Sequence, residues 1–119
     1  MMTDIRIKVV DVVGCKLCVS SEDGQKLYDR ILENLFENKK VVLSFNGVTN
    51  LTSAFLNAAI GQLYSKFSEE SIKTNLKVID IEDDDKVILK RVVERAKDYF
   101  KNSYPYEKAV NNLIGGGND

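Results

Sequence analysis

The sequence predicts an α/β domain, and three observations carry that prediction. The amino terminus alternates apolar and charged residues with a period of two. Residues 41–45 form a continuous apolar, β-branched run. The stretches after the extended segments place apolar residues at spacings of three and four. At 119 residues the chain has room for one core, and an apolar fraction of 44% is enough to fill it.

Taken in order, Ile5, Ile7 and Val9 alternate with Arg6 and Lys8 as in a half-buried strand. Gly14 marks a turn or bulge before a second extended piece, Lys16 to Val19. Ser20 or Ser21 then caps a helix whose first turn carries Glu22 and Asp23, carboxylates placed favourably against the helix dipole. Leu27, Ile31 and Leu35, with Leu32 beside them, line its apolar face, and Asn38-Lys39-Lys40 closes it. Gly24 in its first turns costs about 1 kcal/mol relative to alanine, which close packing or simple tolerance explains.

Val41 to Phe45, interrupted only by Ser44, reads as a central strand covered on both faces. The following helix carries Phe55, Ala58, Ala59, Leu63 and Phe67, and its small residues Ala58, Ala59 and Gly61 let it lie close against the sheet. Ser68 to Thr74 is a polar connection. Leu76 and Val78, with Ile79 and Ile81 beside them, form a further strand, ended by Glu82-Asp83-Asp84-Asp85. Those acids precede a long helix, Lys86 to Lys101, with Val87, Val92, Val93, Ala96 and Phe100 as its buried stripe, so capping and dipole compensation explain them better than a metal does. They lack the glycine and the terminal glutamate of a calcium loop. Asn102 to Pro105 ends the helix. Tyr99, Tyr104 and Tyr106 crowd this end, as a docking surface or as a segment folded back on its own domain.

Right-handed crossovers then give a sheet of about four strands with about three helices packed on it, mixed if the two amino-terminal strands pair as a hairpin. Residues 1–104 are expected to form the single domain and residues 105–119 a partly disordered tail ending in Gly115-Gly116-Gly117.

Composition narrows the function classes. A net charge of -1 with 29% charged residues gives no bulk attraction to a polyanion, so nucleic-acid binding is not expected. No apolar run reaches the ~18 residues of a membrane helix, and the start MMTDIRIK lacks the apolar segment of a secretory signal, so a cytoplasmic protein without membrane association is expected. Cys15 and Cys18 form a C-x-x-C pair, but the chain has no histidine and no third cysteine to complete a zinc set. On one strand a separation of three residues puts the two thiols on opposite faces, which disfavours a bridge. Structural or incidental cysteines are the stronger reading, and neither metal nor cofactor is expected.

The densest group of polar side chains lies between the central strand and the helix after it. Asn46, Gly47, Val48, Thr49 and Asn50, followed by Thr52, Ser53 and Asn57, put amides and hydroxyls at a strand end and a helix start, where α/β proteins form crevices. Catalysis there is not expected. No histidine can activate Thr52 or Ser53, no glycine-flanked nucleophile elbow surrounds Ser53, and no phosphate-cradling glycine run is present. A hydroxyl at this position serves either as an N-cap, worth about 1 kcal/mol, or as a phosphoacceptor, which needs neither an internal base nor a cofactor.

The run VVLSFNGVTNLTSAFLNAAIGQLY resembles the strand-loop-helix core of STAS domains, named for sulfate transporters and anti-anti-sigma factors. Together with CVSSEDGQKLYDRI and VILKRVVERAKDYF, it is similar to the STAS-like family of unknown function found in bacterial and prophage genomes, over roughly Val9 to Phe100. In anti-anti-sigma factors a partner kinase phosphorylates a serine in this loop, and the resemblance puts Ser53 at that position, with Gly47 and Val48 matching the preceding pair. Thr52 stands where that family has aspartate, Ala54 where it has a second serine, and Phe55 where it has glycine. The resemblance implies a STAS-like fold and noncatalytic signalling through a protein partner, an ATPase of the histidine-kinase type. A small enzyme or ligand-binding domain using the crevice of Ser44, Asn46, Asn50, Thr52, Ser53 and Asn57 is the competing class. A self-associating prophage accessory protein, for example a homodimer, is the third.

Overall fold

The computed structural model describes residues 4–101. The expected domain end at 104, the tail at 105–119 and the tyrosines Tyr104 and Tyr106 lie outside the described residues. The elements run β1 (Asp4–Lys8), α1 (Val9–Val13), β2 (Leu17–Cys18), α2 (Ser21–Phe36), β3 (Lys40–Ser44), β4 (Asn50–Leu51), α3 (Ser53–Ala59), a 3-10 turn (Gly61–Ser65), α4 (Glu69–Asn75), β5 (Leu76–Ile79) and α5 (Asp83–Tyr99).

Several elements follow directly from local chemistry. In α2 the Ser20 hydroxyl accepts from the Asp23 N–H at 3.1 Å, and Glu22 and Asp23 occupy the first turn. Asn38 closes it in the left-handed region at φ 62, with its N–H on the Leu35 carbonyl and the Lys39 N–H on that of Asn34. Gly24 is required where it stands. A Cβ there would lie 2.4 Å from the Phe55 carbonyl oxygen and 2.8 Å from the Ala58 Cβ. Ala58 thus serves contact with α2, and Gly61 faces Val92 and Ala96 of α5, so the small residues bring helices together rather than setting α3 against the sheet.

The expected mixed sheet of about four strands with about three helices is corrected, among the described residues, to two parallel sheets and five α-helices. β1-β3-β5 form one sheet and β2-β4 the other, with no hairpin between β1 and β2. The alternation of β1 stops at Lys8. Val9 enters α1, which Gly14 ends at φ 89 by donating its N–H to the Val10 carbonyl at 2.8 Å. The segment expected to be a polar connection is α4, capped by Ser68 and anchored in the core by Ile72. Two helices of five and seven residues are too short to display a 3.6-residue stripe. α3 ends at Ala59 rather than continuing to Phe67, because the chain tightens into the 3-10 turn at Gly61.

The acids at the start of α5 bring charge rather than a capping bond. Asp83, Asp84 and Asp85 lie in the first turn, and Glu82 at the N-cap position makes no side-chain cap hydrogen bond. Val92 and Ala96 of the expected stripe are buried, whereas Val87 is 55% exposed.

The order β1-β3-β5 advances in one direction, so right-handed crossovers put all connections on one face of the sheet. The register agrees with this. Ile5, Val41 and Leu76 lie side by side, as do Ile7, Leu43 and Val78, and this face meets the core that includes Leu27, Ile31 and Leu63. The other face carries Arg6, Val42 and Lys77 in one row and Lys8, Ser44 and Ile79 in the next. β3 is therefore central, as its sequence predicts, but helices cover only one of its faces.

Candidate functional site

β3 delivers Ser44 to the carboxyl end of the sheet, where its side chain turns away from the core. Ser44 is 4% exposed, and its hydroxyl donates to Asp80 Oδ2 at 2.7 Å while accepting from the Asn46 N–H at 3.3 Å. Asp80 directly follows β5 and takes φ 58, an uncommon conformation for a residue with a side chain. These groups, with Arg6, Lys8 and Asp11, line a polar cleft of about 280 Å³. Asp80 escapes sequence reasoning; its only signal is a carboxylate directly after the β-branched pair Val78-Ile79.

Beyond Asn46 the loop is held at successive points. The Val48 N–H donates to the Phe45 carbonyl at 3.1 Å, and Gly47 supplies the positive φ of 91 that this tight turn needs. Val48 is buried as the loop's apolar anchor. The Thr49 N–H and hydroxyl both reach the Lys16 carbonyl, at 2.9 and 3.3 Å. Asn50 and Leu51 then pair with Leu17 and Cys18 as β4.

Thr52 takes the structural work of the helix start. Its hydroxyl donates to the Val19 carbonyl at 2.6 Å and accepts from the Phe55 N–H at 3.2 Å, so it caps α3 and fastens it to the segment entering α2. Ser53 follows as the first residue of α3 and is exposed. Phe55 turns fully into the core and leaves the loop surface free of its ring.

The residues predicted as one crevice therefore occupy three places. Ser44 and Asn46 belong to the cleft at the sheet edge. Gly47 to Thr52 form the fastened loop. Asn57, exposed on α3, lines a separate cleft of about 250 Å³ with Gly61, Gln62, Arg95, Tyr99 and Phe100. The backbone explains the division, since the loop spends its polar groups on β2 before α3 begins. A single small-molecule site assembled from all of these side chains has no support in this arrangement.

The two cysteines do not share a strand, since β2 holds only Leu17 and Cys18 and Cys15 lies before it. Both are free, Cys15 exposed and Cys18 buried. Burial, with smaller contributions from Cys15, Asp23 and Asp85, pushes the Cys18 thiol up to about 11, far from the reactive thiolate of a redox pair. Among the described residues no three or more His, Cys, Asp or Glu side chains are grouped to hold a metal ion.

A one-way parallel α/β domain with a fastened strand-to-helix loop is the class that fold and site define. The chain belongs to the STAS-like domains of unknown function (DUF4325), whose family model matches residues 23–86, from the first turn of α2 through the loop and α3 to the start of α5. No curated protein and no solved structure matches the chain. Among the described residues, no helix is long and apolar enough to cross a membrane.

Proposed function

We propose that this chain is a noncatalytic protein-interaction module of the anti-anti-sigma kind. Its docking surface runs from Asn46 through Gly47, Val48, Thr49, Asn50 and Thr52 to Ser53, and along α3 to Asn57. Its switch is phosphorylation of Ser53 by a partner ATPase of the histidine-kinase type. The observation that carries this reading is the division of labour between neighbouring hydroxyls: Thr52 caps α3, whereas Ser53 stands exposed beside it. A phosphate on Ser53 adds about two negative charges at the positive end of the helix without dismantling the cap.

The test is recovery of the full chain from its native cell with its bound proteins, followed by intact-mass and fragment analysis. The expected result is an ATPase partner and a phosphate on Ser53. Ser53→Ala should abolish the modification, and Ser53→Asp should weaken the complex roughly tenfold or more through an uncompensated charge at the contact. A well-expressed chain recovered unmodified and alone would refute the switch.

A further inference from the structure

The core is left open along β5. Leu76 and Val78 of this edge strand are only half-buried, although their register neighbours Val41 and Leu43 on β3 are buried. With Ile72 of α4 and the half-buried Leu89 and Val93 of α5 they wall a cleft of about 210 Å³. A larger cleft of about 510 Å³ continues it toward the end of α5, since Tyr64, Glu69 and Lys97 line both. Phe67, Phe100 and Lys101 belong to the larger cleft alone. The two together form a groove between α4 and α5, and its mouth lies where the described residues end.

The sequence supplies a segment that matches this groove. Beyond Lys101, Tyr106, Ala109, Val110, Leu113 and Ile114 recur at the i, i+3, i+4, i+7, i+8 spacing of a single helix face, with Glu107, Lys108, Asn111 and Asn112 between them. Pro105 suits a first helical turn and Gly115 a stop. A stripe this short is marginal in water unless a surface buries it.

We propose that the groove between α4 and α5 is the docking site of the chain's own residues 104–114, bound as an amphipathic helix that runs back along α5. Place and reach select this occupant. Only Asn102 and Ser103 separate Tyr104 from Lys101 at the mouth, so the segment is presented at an effective concentration on the order of millimolar, which a free peptide or a second copy has to exceed. From Phe100 back to Leu89 α5 spans about 16 Å, and Tyr106 to Ile114 as a helix covers about 12 Å, enough to lay the stripe along both clefts. Pro105 disfavours the helical conformation at Tyr104, so the chain turns there instead of prolonging α5. The Lys97 to Glu69 ion pair stands at the join of the clefts, and an exposed pair of this kind yields to packed side chains. The cleft on the other side of α5 fits less well, because it follows that helix only from Arg95 to Phe100.

Methyl nuclear Overhauser spectroscopy on the full chain, labelled at Ile, Leu and Val, tests this directly. The expected result is a set of contacts from Val110, Leu113 and Ile114 to Ile72, Val78, Leu89 and Val93 that persists unchanged on dilution. Leu113→Asp with Ile114→Asp should abolish them and speed amide exchange at Ile72 and Val78 roughly tenfold or more. Asn111→Asp with Asn112→Asp, which adds the same charge between the stripe positions, should leave both readouts unchanged. Tail methyls without contacts to the groove overturn the proposal, as do contacts to the cleft beside Gly61 and Ala96 instead. So does an equal response to the two pairs of substitutions. Contacts found only between differently labelled copies in a mixed sample assign the groove to a second copy's tail and overturn it as well.

Discussion

α3 is held differently on its two sides. Toward α2 the contact is made at backbone distance: a methyl group at Gly24 would lie 2.4 Å from the Phe55 carbonyl oxygen, and just after α3 Gln62 of the 3-10 turn donates to Gln25 Oε1 at 2.8 Å. Toward α5 the contact is made by the 3-10 turn after α3 and the same test is relaxed, since a Cβ at Gly61 would meet Ala96 and Val92 only at 3.7 Å. A cleft of about 210 Å³ also remains among Ile60, Tyr64, Leu89 and Val93. α5 is held by a short apolar stripe and by an exposed ion pair, Lys97 to Glu69 at 2.8 Å, which lowers the Glu69 pKa and raises that of Lys97. A helix fixed by backbone proximity tolerates no added volume, whereas one fixed by side chains can absorb some.

The difference can be broken most directly at Gly24. Gly24→Ala should cost about 3 kcal/mol in urea melts, because the obstacle is the backbone of Phe55 rather than a flexible side chain. A loss below about 1 kcal/mol would mean that α2 and α3 part freely. Thr52→Ala, which removes the cap of α3 and its tie to Val19, should cost about 1 to 2 kcal/mol. Titration sharpens the comparison further. Cys18 just before α2 and Tyr28 within it have pKa values raised by burial, and so does Tyr64 beside α5. The unfolded chain loses the Cys18 proton above its ordinary value of 9.0, while the folded chain keeps it to about 11, so stability should fall across that interval. The tyrosines act in the same direction from pH 10 upward. Melts from pH 8 to 11 should show the decline, and Cys18→Ala should flatten its first part. The smallest effect is expected at Gly61, where alanine meets only ordinary contact distances and should stabilise by about 0.5 kcal/mol through the unfolded chain. A large loss there would show the α5 side to be as tight as the α2 side.

Legibility in the sequence followed the range of the interactions. A serine cap before Glu22, a helix end at Asn38-Lys39-Lys40 and a central strand over Val41 to Phe45 depend on near neighbours and read correctly, whereas the choice of Ser20 over Ser21 and the cover of only one strand face did not follow from them. The candidate loop was legible as a loop, since Gly47 and the hydroxyls lie close together along the chain, but which of Thr52 and Ser53 caps α3 was not. Asp80 was not, because its bond to Ser44 spans 36 residues. Ser68 to Thr74 read as a connection because only Ile72 of α4 is buried, too little to mark a face.

By itself the sequence determined the class of fold, the places of the main strands and helices, the membership of a STAS-like family and the polar loop at Ser53. Near-neighbour effects suffice for these: side-chain periodicity, caps and turn residues. Only the tertiary structure decided that the sheet winds one way and leaves a lysine-bearing face, that Gly24 is a contact with Phe55, and that the expected crevice divides. Each of those depends on which distant segments are brought together, and strand order and helix approach are set by packing across the whole core.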